Sequence, residues 1–249
     1  MKKIFFLAVF CFTMGTNAQI LNAESLRKVT DTSGWSGSVS ADFSLRRNVN
    51  DFFTVSTDLH LQYKMNRSLV LFKNHIHFEK IEGDNFTNNG ISHVRYNYKI
   101  SPVVAWEAFA QGQYNKVSKI DFRGLLGTGP RFKLSTSEKY KFYLGALIMY
   151  EYEELIDPIM IERNLRGSSY FSFSLYPTER ISLVSTTYYQ PKLGDLDDYR
   201  VSSQSSLIVD LVTNLALKTS YTLTYDATPA NDVPRSQYNF SSGIVYSFD

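Results

Sequence analysis

Cysteine occurs once in these 249 residues, at Cys11, inside the first apolar stretch. A chain cut after that stretch keeps no thiol, which excludes disulfides, a thiolate nucleophile and a thiolate metal site. Beyond the first eighteen residues there is no run of about 20 apolar residues, so a bundle of membrane-spanning helices is excluded. Histidine is scarce, at four residues, and no His-Glu-x-x-His spacing occurs. No excess of basic charge marks a nucleic-acid surface. What the chain does have is aromatic residues, 17 Tyr and 18 Phe, on a polar background with a mean hydropathy of −0.21.

The N-terminus reads as an export signal. Lys2 and Lys3 precede a short apolar core, Ile4 to Phe12, and Thr16-Asn17-Ala18 offers small residues for cleavage. Residues 1–18 are therefore assigned to a signal peptide, 19–33 to a periplasmic leader and 34–249 to the folded domain. Loss of Lys2 and Lys3 lowers Lys+Arg from 26 to 24, equal to the 24 Asp+Glu. Within the leader, Asn22 can cap a turn or two of helix.

The folded part alternates with a period of two, which puts successive side chains on opposite faces of a sheet. The last stretch is the clearest. Leu215, Leu217, Thr219, Tyr221, Leu223 and Tyr225 oppose Ala216, Lys218, Ser220, Thr222, Thr224 and Asp226. The pattern resumes after Ala227–Pro234, with Tyr238, Phe240, Ile244, Tyr246 and Phe248 on one face. Similar stretches begin near Trp35, Phe53, Ser68, Gly90, Val103, Lys119, Tyr140, Leu165, Ile181 and Tyr199. Short connections alternate with mostly longer ones (Ile81–Asn89, Leu155–Asn164, Pro191–Asp198, Ala227–Pro234), while Asn48–Asp51 and Asn115–Ser118 stay short. One face is apolar and aromatic, and Trp35, Tyr63, Tyr98, Trp106, Tyr188, Tyr189 and Phe248 are placed to form interfacial girdles. The expectation is an all-β protein, a transmembrane antiparallel up-and-down β-barrel of about 12 strands, monomeric, in a bacterial outer membrane. Its partners would be outer-membrane lipid and, through the C-terminal strand, the barrel assembly machinery; nucleic acid is not among them. A soluble lipocalin-like barrel would bury its apolar face inside and need about eight strands.

The opposite face is charged and points into the lumen. Arg123 and Arg131 on the sixth strand and Glu151 and Glu153 on the seventh are the lumen charge candidates, with Arg123 expected near Glu151. They either fill the bore as ion pairs or form the constriction of a small pore. His60, His75, His77 and His93 share lumen parity. Hairpin counting sets His75 near Asp58 and His77 near His93, a group able to bind zinc or sense protons. Ordinary polar lumen histidines remain the preferred reading, and no cofactor is expected. No Gly-x-Ser-x-Gly or His-x-Ser motif marks a nucleophile, so the expectation is a non-enzymatic protein. The alternatives are a lipid-modifying barrel enzyme and a surface binding module acting through its outer loops. Gly127-Thr128-Gly129-Pro130 lacks the Lys and helix of a phosphate loop and is read as a close approach inside the barrel.

Several stretches carry a resemblance to a known family. They are Thr32-Ser33-Gly34-Trp35-Ser36-Gly37, Trp106-Glu107-Ala108-Phe109-Ala110-Gln111-x-Gln113-Tyr114, Arg123-Gly124-Leu125-Leu126-Gly127-Thr128-Gly129-Pro130-Arg131-Phe132, Tyr150-Glu151-Tyr152-Glu153-Glu154 and Asp198-Tyr199-Arg200. Together they resemble the uncharacterised bacterial family labelled salt-induced outer membrane protein. The resemblance implies an outer-membrane barrel linked to osmotic or salt stress, with no catalytic residues to carry over. Asp249 after Phe248 departs from the usual barrel ending.

Overall fold

The computed structural model describes residues 33–47, 51–81, 84–137, 139–157, 159–212 and 215–246. The signal, the leader up to Thr32, Phe248 and Asp249 lie outside the described residues. The strands are β1 (Gly34–Arg47), β2 (Asp51–Met65), β3 (Ser68–Ile81), β4 (Asp84–Lys99), β5 (Val104–Asn115) and β6 (Ile120–Lys133). They continue as β7 (Tyr140–Ile156), β8 (Ile159–Thr178), β9 (Ile181–Lys192), β10 (Asp195–Val212), β11 (Leu215–Asp226) and β12 (Ser236–Tyr246). All twelve belong to one sheet in sequence order, each antiparallel to the next.

Contacts between strands that are not neighbours show the curvature. Tyr170 on β8 bonds Glu107 on β5, and Arg200 on β10 reaches Glu151 and Glu153 on β7. Such chords exist only if the sheet wraps round a shared interior, so the molecule is an up-and-down barrel. On β7, Leu144, Ala146, Ile148 and Tyr150 are exposed while Gly145, Leu147, Met149, Glu151 and Glu153 are buried. The period-two pattern is thus resolved into an apolar outer wall and an enclosed bore.

The outer wall carries aromatic pairs at both ends. Trp35 packs on Tyr63 with ring centroids 4.7 Å apart at one end; Tyr189, Tyr199 and Tyr225 form a row at the other. Tyr188, expected in a girdle, is instead buried in the bore beside Tyr170, because it has the opposite parity to Tyr189. It belongs to an apolar core inside the barrel with Phe109, Leu147, Met149 and Tyr170. Glycine makes room for those rings: a Cβ on Gly145 would lie 2.0 Å from the Tyr170 ring, and one on Gly127 2.4 Å from the Phe109 ring.

The connections differ from expectation at one mouth, here called the upper mouth. Most of Ile81–Asn89, Leu155–Asn164 and Pro191–Asp198 is strand: β3 and β4 are separated only by residues 82–83, β7 and β8 by 157–158, β9 and β10 by 193–194. The reason is continued pairing, since Ile156 still faces Ile159, and Glu153 still faces Glu162. A membrane crossing needs about 9–11 residues per strand, whereas β7, β8 and β10 have 17, 20 and 18. The surplus raises the barrel wall at the upper mouth. Among the described residues, only the β11–β12 connection, residues 227–235, is a long loop there.

Candidate functional site

The upper half of the bore is crossed by a buried ion network. Glu151 and Glu153 are two apart on β7, so both point inward. Arg123 on β6, opposite Glu153 in register, donates Nε to Glu153 Oε1 at 2.9 Å and lies 3.5 Å from Glu151 Oε1. Arg166 on β8 donates Nε to Glu151 Oε2 at 2.5 Å and Nη2 to Asp198 Oδ1 at 2.8 Å. Lys192 lies 3.6 Å from the other oxygen of Asp198. Arg200 ties the group together. It donates Nη2 to Glu153 Oε2 at 2.9 Å, Nε to Asp226 Oδ2 at 2.8 Å, and Nη1 to Glu151. The result is a bar of alternating charge from β6 to β11. Arg166 is 0% exposed and Glu151 1%, and every carboxylate named has a cation, as buried charge requires.

A second network lies toward the lower mouth. Glu107, 0% exposed, accepts from Asn97 Nδ2 and from Tyr170 Oη, each at 2.7 Å. Arg95 Nη1 and Arg131 Nε stand 3.5 and 3.7 Å from its oxygens. Arg131 also covers the Tyr143 ring, 3.7 Å from its centroid, an arrangement that suits the weakly hydrated guanidinium.

Two cavities flank the upper network. One, of about 190 Å³, sits beneath the β11–β12 loop and is bordered by Ile120, Leu155, Met160 and Arg235. The other, of about 100 Å³, lies between the two networks. Arg123 and Arg200 line both. The alternating bar is therefore the partition between an upper and an inner chamber.

The upper chamber is roofed by the long loop. Its Asp232 lies 3.3 Å from Lys119 Nζ on the β5–β6 turn, and Lys119 also donates to Asp157 at 3.2 Å. Those acceptors, Asp157 first, hold the Lys119 ammonium above its usual range. Among the described residues, Lys119 and Asp232 are two of the three non-glycine residues with positive φ, at 56° and 63°. The latch that holds the loop across the mouth is thus built on uncommon backbone.

The sequence candidates fall as follows. Arg123, Glu151 and Glu153 meet in the upper network, and Arg131 lies apart in the lower one. His75 Nδ1 is 2.7 Å from Asp58 Oδ1. His77 is not brought to His93: it faces Asn89, while His93 faces Lys73. Pairing of Ile81 with Asp84 and a register shift at Glu79/Lys80 give β4 a register different from the one that loop counting gives. No group of three His, Cys, Asp or Glu able to hold a metal occurs among the described residues. Sequence reasoning missed Glu107, Arg166, Asp198, Arg200 and Asp226 as network members. Parity alone gives Arg166 and Arg200 as inward, but the contacts of Arg166 with Asp198 and of Arg200 with Glu151 and Glu153 reach two or three strands away.

A family model matches residues 36–248, and its description is "Protein of unknown function, DUF481". The chain belongs to this family. No curated protein matches the chain. Among solved structures, the DUF481 chain is similar to the NanC porin, with 9% identity, a TM-score of 0.50 and coverage of 86% of this chain and 98% of that one. Weaker likenesses are to the translocator domain of autotransporter NalP from Neisseria meningitidis (8% identity, TM-score 0.46, 90% and 91% covered) and the β domain of the Bordetella autotransporter BrkA (10%, 0.37, 87% and 99%). The first of these supports the barrel fold.

Proposed function

We propose that the chain is a non-enzymatic outer-membrane protein of the bacterial envelope whose bore is a narrow passive conduit for small ions. The observation that carries this reading is the partition: Arg123 and Arg200 border a chamber on each side of one charged bar. A polar bore with water-sized spaces on both sides of a charged constriction passes ions only when side chains of that constriction move. In this reading the protein is exported by residues 1–18, works as a monomer and meets lipid with its apolar outer wall. A link to salt stress is part of this reading, and what supports it is the Lys119–Asp232 latch, whose Asp232 side chain is exposed, since ion pairs open to solvent weaken as ionic strength rises. The test is single-channel conductance of the refolded chain in a planar bilayer. Arg123→Ala is expected to change step size and ion preference together. A folded barrel that stays silent in both forms overturns the conduit.

A second reading, a surface binding module, is favoured by the β7–β8 hairpin tip, where Ile159 is 90% exposed. Ile159→Asp then lowers adherence of cells displaying the protein to an apolar surface while conductance stays unchanged.

A further inference from the structure

We infer that the upper ends of β1, β2 and β3 form a binding site for the phosphate of a membrane lipid head group, a proposal that rests on the outer-membrane reading above. A cavity of about 390 Å³ lies there, bordered by Arg46, Arg47, Asp51, Phe52, Phe53 and Lys80. Its size falls within the range of about 300–1,000 Å³ usual for small-ligand sites. Strand register brings its cations together. Arg47 faces Asp51, Leu45 faces Phe53, and Phe53 faces Lys80, so all five residues share the outer wall. Arg46 has the opposite parity and holds its guanidinium 4.2 Å from the Phe52 ring centroid. Stacking engages the face of a guanidinium, while its N–H donors point along the edge.

Height on the barrel decides what these cations meet. Trp35 and Tyr63 mark the lower girdle, and Leu45 stands ten positions above Trp35 on β1. Ten residues at about 3.3 Å each, tilted by about 40°, rise about 25 Å, the height of the apolar band. Leu45, Phe53 and Lys80 therefore stand at the upper edge of the band. Arg47 stands about 5 Å beyond it, at head-group level. One level lower, Phe43, Val55 and Phe78 are side by side. The Phe53 ring is 5.5 Å from Phe43 and 6.0 Å from Phe78. Acyl chains meet those rings while the head group meets the cations. Three cations border the cavity against the one carboxylate of Asp51, which favours an anion. The Arg47–Asp51 contact is 3.5 Å, with side chains 86% and 71% exposed. A pair so exposed contributes little, and a phosphate competes with Asp51 for the arginine fork. Glu79, next to Lys80 in the chain, faces Thr54 on the opposite side of the wall.

The test is native mass spectrometry of the full exported chain, refolded in detergent, with phosphatidic acid and with diacylglycerol of the same acyl chains. Phosphatidic acid is expected to be retained at about tenfold lower concentration, and the difference is expected to shrink as salt rises. Arg47→Gln combined with Lys80→Gln is expected to bring phosphatidic acid to the diacylglycerol level. Arg180→Gln, on the exposed β8–β9 turn of the lower mouth, is expected to leave the preference intact. Equal retention of both lipids, an unchanged preference in the double variant, or the same loss in Arg180→Gln would each overturn the site. Displacement of the lipid by an equal concentration of inorganic phosphate would make the ligand the free anion and overturn the lipid assignment. The wild-type comparison of the two lipids decides the matter even if the double variant fails to fold. Resistance to carbonate extraction from phosphatidylcholine vesicles reports the membrane reading separately. A chain that embeds without preferring phosphatidic acid loses the site and keeps that reading; a chain that does not embed loses both.

Discussion

Glu107 is fully enclosed, and its carboxylate is met by Asn97, Tyr170, Arg95 and Arg131 from four different strand positions. Removing that charge leaves two guanidiniums in the bore without their shared counter-ion. Glu107→Gln keeps the shape and the capacity to accept, so its effect isolates charge. Breaking one side of a buried pair costs about 3–5 kcal/mol, and the folded band of Glu107→Gln is expected to melt at a clearly lower temperature in detergent electrophoresis. Tyr170→Phe removes one bond to a charged group, worth about 1.5–3 kcal/mol, and is expected to fall between wild type and Glu107→Gln. Gly145 tests the packing beneath the same ring. A methyl there meets the Tyr170 ring at 2.0 Å, and overpacking of this kind costs about 1–3 kcal/mol. Gly145→Ala is expected to destabilise alone and to lose most of that effect in a Tyr170→Ala background, a non-additivity that a double-mutant cycle measures.

At the scale of elements, the β11–β12 loop is held at its far end by Lys119 and Asp232. Asp232 is 89% exposed in its side chain, so this latch is weak and sensitive to salt. Asp232→Asn is expected to speed amide hydrogen exchange across residues 227–235 and to leave β-strand amides unchanged. Raising the salt to about 1 M, where the Debye length is about 3 Å, is expected to do the same to the wild type and little more to the variant. Equal salt response in both proteins would exclude the latch as the salt-sensitive element. Strand identity was legible from the sequence because lipid-type and lumen-type residues alternate with a period that composition cannot imitate. Strand length was less so. In β8, Ile159 to Asn164 mix apolar and charged residues and read as loop, yet pairing with β7 continues to Ile159. Hydrogen-bond pairing above the apolar band does not need an apolar face, so the periodic signal ends before the strand does.

For the whole molecule, what the sequence could not disclose is which inward residues meet across the bore. Parity assigns Arg200 and Glu151 to one interior, but their contact spans 49 positions of chain and two intervening strands. Chords of this kind depend on barrel width and on every register between the strands, including the shift that separated His77 from His93. The same chords set the electrical character of the partition. Arg123, Arg166, Arg200 and Lys192 face Glu151, Glu153, Asp198 and Asp226, so the bar is balanced in formal charge. Removing one member at a time tips it in a chosen direction. Arg200→Ala leaves an excess carboxylate and takes away the side chain that bridges β7 to β11. It is expected to raise conductance and shift the reversal potential in a KCl gradient toward potassium. Glu153→Gln leaves an excess guanidinium and is expected to shift the reversal potential toward chloride. Field strength in a constriction of low dielectric makes a single charge felt strongly. Opposite shifts from two substitutions on the same bar identify it as the element that ions pass. Shifts of the same sign, or none in channels that still conduct, would place the ion path elsewhere in the barrel.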